Sequence, residues 1–170
     1  VRPFQIPQSW KIDRGYDYGS ANPAAYLLFA ESDGNEFMDG RTGRAIWYPK
    51  GSIAIIGEVY LADKQGRGLR LSPVQQAQRI LRYEIENGYR GRVHAGPADK
   101  SIFAKEPGRP SIAEEMAGEG VEFVPSDKNP GTRVIGVSLY RQRLIAGMMS
   151  PIEDPCIIVF STCPHTIRTV

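Results

Sequence analysis

The chain has 170 residues and a mass of 18.8 kDa, and 41% of the residues are hydrophobic and 24% charged. This composition predicts one folded domain and excludes a mainly disordered chain. The net charge of +2 does not by itself indicate a nucleic-acid or membrane partner, and no apolar run approaches the roughly 18 residues of a membrane span.

The two cysteines make no disulfide framework, so we expect a reducing cytosol. The start at Val1 shows no signal-peptide core, and we expect a part of a longer protein.

The charges are distributed unevenly along the chain. Residues 1–63 carry six basic and eight acidic residues, and residues 64–109 carry ten basic and four acidic ones. Residues 110–127 then carry five acidic residues and no basic one, and residues 128–147 carry four basic residues and no acidic one. Such blocks are typical of solvated helix faces, and also of a surface divided between phosphates and metals. The blocks are compatible with a polyanionic partner but do not require one.

The first third of the chain predicts strands. In the first strand, Ile12 falls on one side and Asp13 and Asp17 on the other. Residues 32–35, Ser-Asp-Gly-Asn, predict a hairpin turn, and residues 36–51 a long loop or mobile hairpin. The strands predicted from apolar alternation and from Ile and Val content are 10–18, 24–30 and 52–62.

The rest of the chain predicts helices that alternate with short strands. Capping boxes at Ser72 and Ser111 start two helices, and Thr132 to Ala146 forms a third. The apolar spacing predicts that the first helix packs through Val74, Ala77, Leu81 and Ile85. In the third helix the predicted apolar face is Val137, Tyr140 and Leu144. The short strands predicted here are 92–96, 121–124 and 157–160.

The order of these elements predicts a particular α/β fold. Three antiparallel strands followed by βαβα crossovers indicate a mixed sheet with helices on both faces. Few common folds have this order, and the ribonuclease-H-like fold is the leading one. In that fold the first strand lies mid-sheet, with the fourth parallel beside it.

Two aspartates are the candidate catalytic residues. Asp17 ends the first strand and Asp99 directly follows the fourth, and ligand sites form where parallel strands end. Two close carboxylates repel and need a cation or a shared proton, and hard oxygen ligands suit Mg²⁺ or Mn²⁺. A pair of such ions is the usual device for cutting phosphodiesters. On spacing alone, both aspartates could equally be ordinary turn residues.

The chain resembles the nuclease domain of tailed-phage terminase large subunits. A strand that ends in Asp17-Tyr18-Gly19 with Pro23 shortly after is similar to the opening of that domain. Further similarities follow in the same order and extend over nearly the whole chain, at 56–60, 96–103, 111–115, 136–144 and 158–168. The similarity of each segment alone is weak, but the occurrence of all of them in the family's order makes the resemblance to the family fairly specific.

The resemblance implies a two-metal endonuclease that cuts concatemeric double-stranded viral DNA during genome packaging in the host cytoplasm. It implies Asp17 and Asp99 as ligands of two Mg²⁺ or Mn²⁺ ions, and the small terminase subunit and the portal protein as partners, with no membrane. We expect residues 1–170 to be a single nuclease domain from the C-terminal part of a longer chain. The family's third acid lies in a C-terminal motif that we do not find in these residues, since Asp154 has a different context. No phosphate-binding Gly-x-x-x-x-Gly-Lys stretch occurs either, so we expect no ATP hydrolysis.

Other polar residues have both a functional and a purely structural interpretation. Asp13 is an outer metal ligand or a solvated strand carboxylate, and Glu58 is a metal ligand or a member of a buried ion pair. Lys100 contacts the scissile phosphate or is an ordinary surface lysine. The candidate DNA contacts, which could equally be solvated surface, are Arg41, Arg44, Lys50, Lys100, Arg133, Arg141 and Arg143.

Two alternatives to a packaging endonuclease remain open. Another ribonuclease-H-like nuclease, such as a resolvase, would use the same two aspartates on branched DNA. A non-catalytic module that docks on the portal or the small subunit is the alternative from another class. The two histidines and two cysteines lack the spacing of a zinc site, and no nucleophile triad is indicated.

Overall fold

The computed structural model describes residues 1–127 and 129–169, without the side chain of Arg133. Among these residues, no helix is long and apolar enough to cross a membrane. The strands are β1 Lys11–Asp17, β2 Ala24–Glu31, β3 Phe37–Met38, β4 Ala45–Ile46, β5 Ile53–Leu61, β6 Val93–His94, β7 Gly96–Ala98, β8 Phe123–Pro125 and β9 Ile157–Val159. The helices are α1 Pro73–Glu86, α2 Ile112–Gly118, α3 Thr132–Ala146 and α4 Pro164–Thr169, with a 3-10 turn at Lys100–Phe103.

The main sheet of the described residues is mixed and has seven strands. Its order is β8-β7-β1-β2-β5-β9, and β6 pairs with β1 off this path. β7 lies parallel to both β1 and β8, and β9 lies parallel to β5. Ser32, just after β2, exchanges backbone hydrogen bonds with Gly51 and Ser52, just before β5, as antiparallel neighbours do. The predicted mixed α/β architecture, with β1 inside the sheet and the fourth major strand parallel beside it, is confirmed.

The chain folds into two compact units. One comprises 1–12, 29–57 and 127–170, and the other comprises 13–28 and 58–126. The first unit has an aromatic core in which Phe4 packs against neighbouring rings at centroid distances of 4.9–6.0 Å. These rings are Trp10, Phe37, Tyr48 and Phe160.

The second unit is built on α1, whose start agrees with the prediction. The Ser72 hydroxyl accepts a hydrogen bond from the Gln75 N–H at 3.2 Å, and the Gln75 side chain accepts one from the Ser72 N–H at 2.9 Å. This reciprocal capping satisfies two backbone donors that the helix itself leaves open. Pro73 occupies the first turn, where its missing N–H costs nothing.

The predicted apolar face of α1 is right for Ala77, which is fully buried, but wrong for Ile85. Ile85 is 61% exposed, whereas the buried positions are Gln76, Ala77, Ile80 and Glu84. Two of these are polar because they bond to side chains of the sheet, as described next. Apolar periodicity does not detect a buried polar residue whose partner lies far away in the sequence.

A buried ionic network joins α1 to the sheet. Arg14 on β1 lies 3.0 Å from Glu84 on α1, and the two side chains are 5% and 1% exposed. The Tyr26 hydroxyl on β2 donates to the same Glu84 oxygen at 2.6 Å. Burial, together with the charge of Glu84 and this hydrogen bond, raises the pKa of Tyr26, so the hydroxyl keeps its proton.

Three further predictions need correction. The 32–35 turn does not join paired strands, because the next strand, β3, pairs with β4 in a separate two-stranded hairpin. The strand predicted over 92–96 is divided into β6 and β7, which are separated by Ala95. The predicted apolar face of α3 is only partly covered, since Tyr140 and Leu144 are half-buried and Val137 is 46% exposed.

Glu84→Ala should lower the free energy of unfolding by about 3–5 kcal/mol, because it leaves the Arg14 guanidinium buried without its main partner. Urea unfolding measures this effect. The matched control is Arg67→Ala, which removes one partner of the exposed Arg67–Asp63 pair and should cost no more than about 1 kcal/mol. Equal effects of the two substitutions would contradict the structural role of the buried network.

Candidate active site

The backbones of Asp17 and Asp99 lie side by side at the carboxyl ends of two neighbouring strands, β1 and β7. β1 and β7 are parallel, and Tyr16 of β1 is in register with Ala98 of β7. Asp17 is the last residue of β1, and Asp99 comes directly after β7. Because neighbouring strands are about 4.8 Å apart, the register brings the backbones of the two aspartates together where both strands end.

The face of the sheet that each residue occupies follows from the alternation along β1. Ile12, Arg14 and Tyr16 are buried, and Asp17 is exposed. Tyr16 donates its hydroxyl proton to Gln76 on α1, so the buried side of β1 is the side that α1 covers. Asp17 therefore belongs to the opposite, accessible side.

The segment that follows Asp17 is hydrogen-bonded to a side chain of α1. The Gln76 side-chain amide donates to the Gly19 carbonyl at 2.9 Å and to the Leu71 carbonyl at 3.0 Å, while its oxygen accepts from Tyr16. Burial, followed by the charges of Tyr18 and Asp17, raises the pKa of Tyr16, so this donor stays protonated at neutral pH. One buried glutamine thus orients the turn that leaves the candidate site.

The Asp99 carboxylate is oriented by its own turn. One of its oxygens accepts the Ser101 N–H at 2.8 Å, which makes Asp99 the cap of the 3-10 turn. Ile102 in this turn is fully buried. Beyond the turn, Lys105 forms an ion pair with Glu114 on α2 at 2.7 Å. The segment after β7 is therefore attached both to the core and to α2.

Gly96 allows β7 to approach β1 this closely. A Cβ at position 96 would lie 1.6 Å from the Arg14 carbonyl oxygen and 2.7 Å from its carbonyl carbon. No side chain fits at such a distance from rigid backbone, so only glycine permits this register. The same close approach brings Ala98 beside Tyr16, and hence Asp99 beside Asp17.

The donor set suits a hard divalent cation. Carboxylate oxygens are the ligands that Mg²⁺ prefers, and this ion often uses only one or two carboxylates and keeps several waters. Within the described part of the chain, no group of three or more His, Cys, Asp or Glu side chains is placed to hold a metal ion. Asp17 and Asp99 therefore fit an ion that completes its coordination with water and substrate.

Solved structures of two phage proteins have a similar architecture. The chain is similar to the P22 large terminase nuclease domain, with 14% identity and a TM-score of 0.59, over 99% of this chain and 70% of that one. It is also similar to the large terminase from a thermophilic bacteriophage in complex with ADP, with 15% identity and a TM-score of 0.57. That match covers 99% of this chain and 31% of the thermophilic phage protein. No family model and no curated protein matches the sequence.

The chain has the fold of a large-terminase nuclease domain. This fold is ribonuclease-H-like, so the resemblance noted in the sequence is confirmed at the level of architecture. At identities of 14–16% the comparison defines the fold and leaves the activity to be argued from the site.

The other acidic candidates are placed as follows. Asp13 is half-buried and follows the same alternation as Asp17, four residues earlier on β1. Glu58 is half-buried on β5, which is separated from β1 by β2 in the sheet order. Lys100 is exposed at the start of the 3-10 turn, next to Asp99.

The remaining basic candidates belong to the first unit. Arg41, Arg44 and Lys50 are exposed on or beside the β3–β4 hairpin. Arg141 on α3 is exposed, but Arg143 is half-buried and donates to the Gly51 carbonyl at 2.9 Å, so it has a structural contact. The side chain of Arg133 lies outside the described residues.

Two positioning residues were missed in the sequence. Gln76 gave no signal, because a glutamine on an amphipathic helix is usually solvated and its partner Tyr16 is 60 residues away. Gly96 did give one, since an isolated glycine within a strand pattern indicates a close approach of backbones.

Gly96→Ala should destabilise the protein by about 1–3 kcal/mol, the usual cost of overpacking, because β7 must move away from Arg14. Thermal or urea unfolding tests this. Gly118→Ala is the control, since a Cβ there has no atom within 4 Å, and it should leave stability unchanged or raise it. Equal stability of Gly96→Ala and the parent would contradict the close approach.

Glu114 should titrate with a pKa of about 2, because the side chain of Lys105 and the backbone N–H of Ser111 both stabilise its carboxylate. A lowered pKa in the folded state means that this contribution to stability exists above the unfolded pKa near 4.5 and is lost as the pH falls towards 2. NMR titration of the glutamate side chains measures the value. Lys105→Met should move it back towards 4.5, and an unchanged titration would contradict the ion pair.

Proposed function

We propose that the chain is a divalent-metal-dependent endonuclease that cuts double-stranded viral DNA during genome packaging. The observation that carries the proposal is the parallel register of Tyr16 with Ala98. This register aligns the backbones of Asp17 and Asp99 where β1 and β7 end. The fold supports it, because solved neighbours with this architecture are the P22 large terminase nuclease domain and the large terminase of a thermophilic bacteriophage.

In this proposal Asp17 and Asp99 bind Mg²⁺ or Mn²⁺, and two ions act together. When bound, such a pair supplies an activated water and stabilises the leaving oxygen of a phosphodiester. Asp99 is oriented for this role by the Ser101 N–H. Lys100, exposed beside Asp99, provides a cation for the scissile phosphate.

The wider partners follow from the same proposal. Duplex DNA would contact exposed arginines and lysines, which bind the backbone without reading sequence. Of the contacts predicted from the sequence, Arg41, Arg44, Lys50 and Arg141 are exposed and are proposed here. Arg143 is half-buried and bonded to the Gly51 carbonyl, so it is not retained. Arg133 stays a prediction, because its side chain lies outside the described residues. The small terminase subunit and the portal protein are proposed as protein partners, and the host cytoplasm as the site of action.

A second candidate function is a non-catalytic docking module. It is favoured by the apolar side chains that α3 leaves exposed, among them Val134 at 75% and Ile135 at 69%. Exposed apolar clusters of this kind often mark a protein interface. Tight binding to the portal or the small subunit, with no Mn²⁺ bound at Asp17, would favour this function over cutting.

Asp17→Asn and Asp99→Asn should each abolish Mn²⁺-dependent plasmid nicking. Each should also weaken Mn²⁺ binding at least about tenfold, since loss of even an outer partner of a metal ligand costs that much. Nicking is followed on supercoiled plasmid and Mn²⁺ binding by titration calorimetry, in the 170-residue chain and in a longer form that includes the family's third acid. Branched and linear substrates are compared, because a resolvase would prefer junctions.

The matched control for these variants is Asp33→Asn. Asp33 is half-buried, and its carboxylate accepts the N–H two residues on, Asn35, at 2.9 Å, just as Asp99 accepts Ser101. This variant should nick DNA like the parent. Full activity of either Asp17→Asn or Asp99→Asn would contradict the assignment.

A further inference from the structure

A groove with a volume of about 550 Å³ lies between the end of β5, the loop that leads to α1, and the exposed side of α1. Its lining includes Leu61 from β5, Leu69 and Leu71 from the loop, and Arg79 and Arg82 from the helix. All of these residues belong to the second unit, which also contains Asp17 and Asp99. The proposed function assigns no role to this groove.

The segment that leads into α1 is rich in basic residues. Residues 64–82 carry five basic residues and no acidic one. Arg79 and Arg82 are exposed and three positions apart, so they lie on one side of α1. Within the described residues neither forms an ion pair, and Glu86 is the single acidic residue of the groove lining. Cations concentrated in this way attract a polyanion.

The loop wall of the groove is attached to the turn that follows Asp17. The Gly68 N–H donates to the Ala21 carbonyl at 2.9 Å, and the Arg70 N–H donates to the Ser20 carbonyl at 3.1 Å. A Cβ at Gly68 would lie 2.2 Å from the Ser20 carbonyl oxygen, so the two segments are in direct backbone contact. The loop that forms one wall of the groove is therefore fixed, through its backbone, to the turn that follows Asp17.

Arg70 has an unusual backbone. Its φ of +53° places it in the left-handed region, and it is the one non-glycine residue with positive φ in the described ranges. Its side chain is exposed, and its chain neighbours Leu69 and Leu71 line the groove whereas Arg70 itself does not. Residues other than glycine adopt this conformation only when the surrounding contacts impose it, and such positions are concentrated at functional sites.

We propose that Arg70, Arg79 and Arg82 bind the sugar-phosphate backbone of duplex DNA and guide it towards the turn after Asp17. This inference rests on the proposed nuclease function for its biological meaning, but the binding itself is independent of cutting. Duplex DNA fits better than a small phosphate compound, because two of the three cations line an open groove on the helix and the third lies on the loop before the helix, outside the groove lining. An acidic protein segment is the competing partner that the experiment must exclude.

The test measures fluorescence anisotropy of a labelled duplex over a series of NaCl concentrations, with EDTA present so that no cutting occurs. The triple variant Arg70→Asn, Arg79→Gln, Arg82→Gln should bind more weakly and reduce the slope of log K against log[salt] by about 2.7, since each phosphate contact contributes about 0.9. Each single variant should reduce the slope by about 0.9. Asparagine is used at position 70 because it tolerates the left-handed conformation.

The control variant is Arg67→Gln in the same loop. The Arg67 guanidinium already lies 2.9 Å from the Asp63 carboxylate, so its charge is matched and the slope should not change. Unfolding curves verify that every variant keeps the fold. If the triple variant binds like the parent, the inference is wrong. The inference is also overturned if poly-glutamate displaces the labelled duplex as effectively as unlabelled duplex does.

The inference and the proposed function fail in different ways. A chain that nicks plasmid but binds duplex equally with and without the three arginines supports the nuclease and overturns the groove. If these arginines bind duplex but the longer form that includes the third acid does not nick it, the result supports the groove and contradicts the nuclease. Asp17→Asn separates the two, because it should lose nicking while the three arginine substitutions, introduced into this variant, still reduce the salt slope of duplex binding in EDTA by about 2.7.

Discussion

The buried contact between Arg14 and Glu84 is the constraint on which the rest of the second unit depends. The Arg14 side chain joins β1 to α1, and its carbonyl oxygen is the atom that Gly96 approaches as β7 is laid beside β1. One residue therefore relates the central strand both to its covering helix and to its parallel neighbour. A buried ion pair of this kind contributes little net stability, because desolvation offsets the attraction. Its value here is that other registers would leave the charge of Glu84 buried without its partner.

This specificity matters because side chains alternate along a strand. A shift of one residue in β1 would place Asp13 and Asp17 under α1 and expose Arg14 and Tyr16. The polar contacts on the covered side, from Arg14 to Glu84 and from Tyr16 to Gln76, thus determine which residues appear on the accessible side. The position of the candidate site is accordingly a consequence of interactions on the other face of the same strand.

Much of the fold, and the core of the candidate site, could be predicted from the sequence. Capping boxes start α1 and α2, strand alternation separates Asp17 from Tyr16, and the element order predicts the parallel pairing that sets Asp17 beside Asp99. The errors have a common cause. The predicted packing side of α1 included Ala77 but missed Gln76 and Glu84, because these two are buried by partners about 60 residues away, which a local pattern does not contain. The positive φ of Arg70 could not be predicted from the sequence either. Its loop is hydrogen-bonded to the backbone of residues 20–21, which lies about 50 residues earlier in the chain.

The structure shows which of the basic residues are paired with carboxylates, and this cannot be read from the charge pattern of the sequence. Ten basic residues lie in 64–109, but the Arg67 and Lys105 charges are matched by Asp63 and Glu114, and Arg90 lies 3.9 Å from Glu84. What remains available is concentrated around α1 and the loop before it. A chain with a net charge of only +2 can in this way present a local cluster of cations while its overall attraction to a polyanion stays small. Binding that depends on a few local phosphate contacts weakens steeply with salt. Such a surface suits the role proposed above, in which a long polyanion is held and then released.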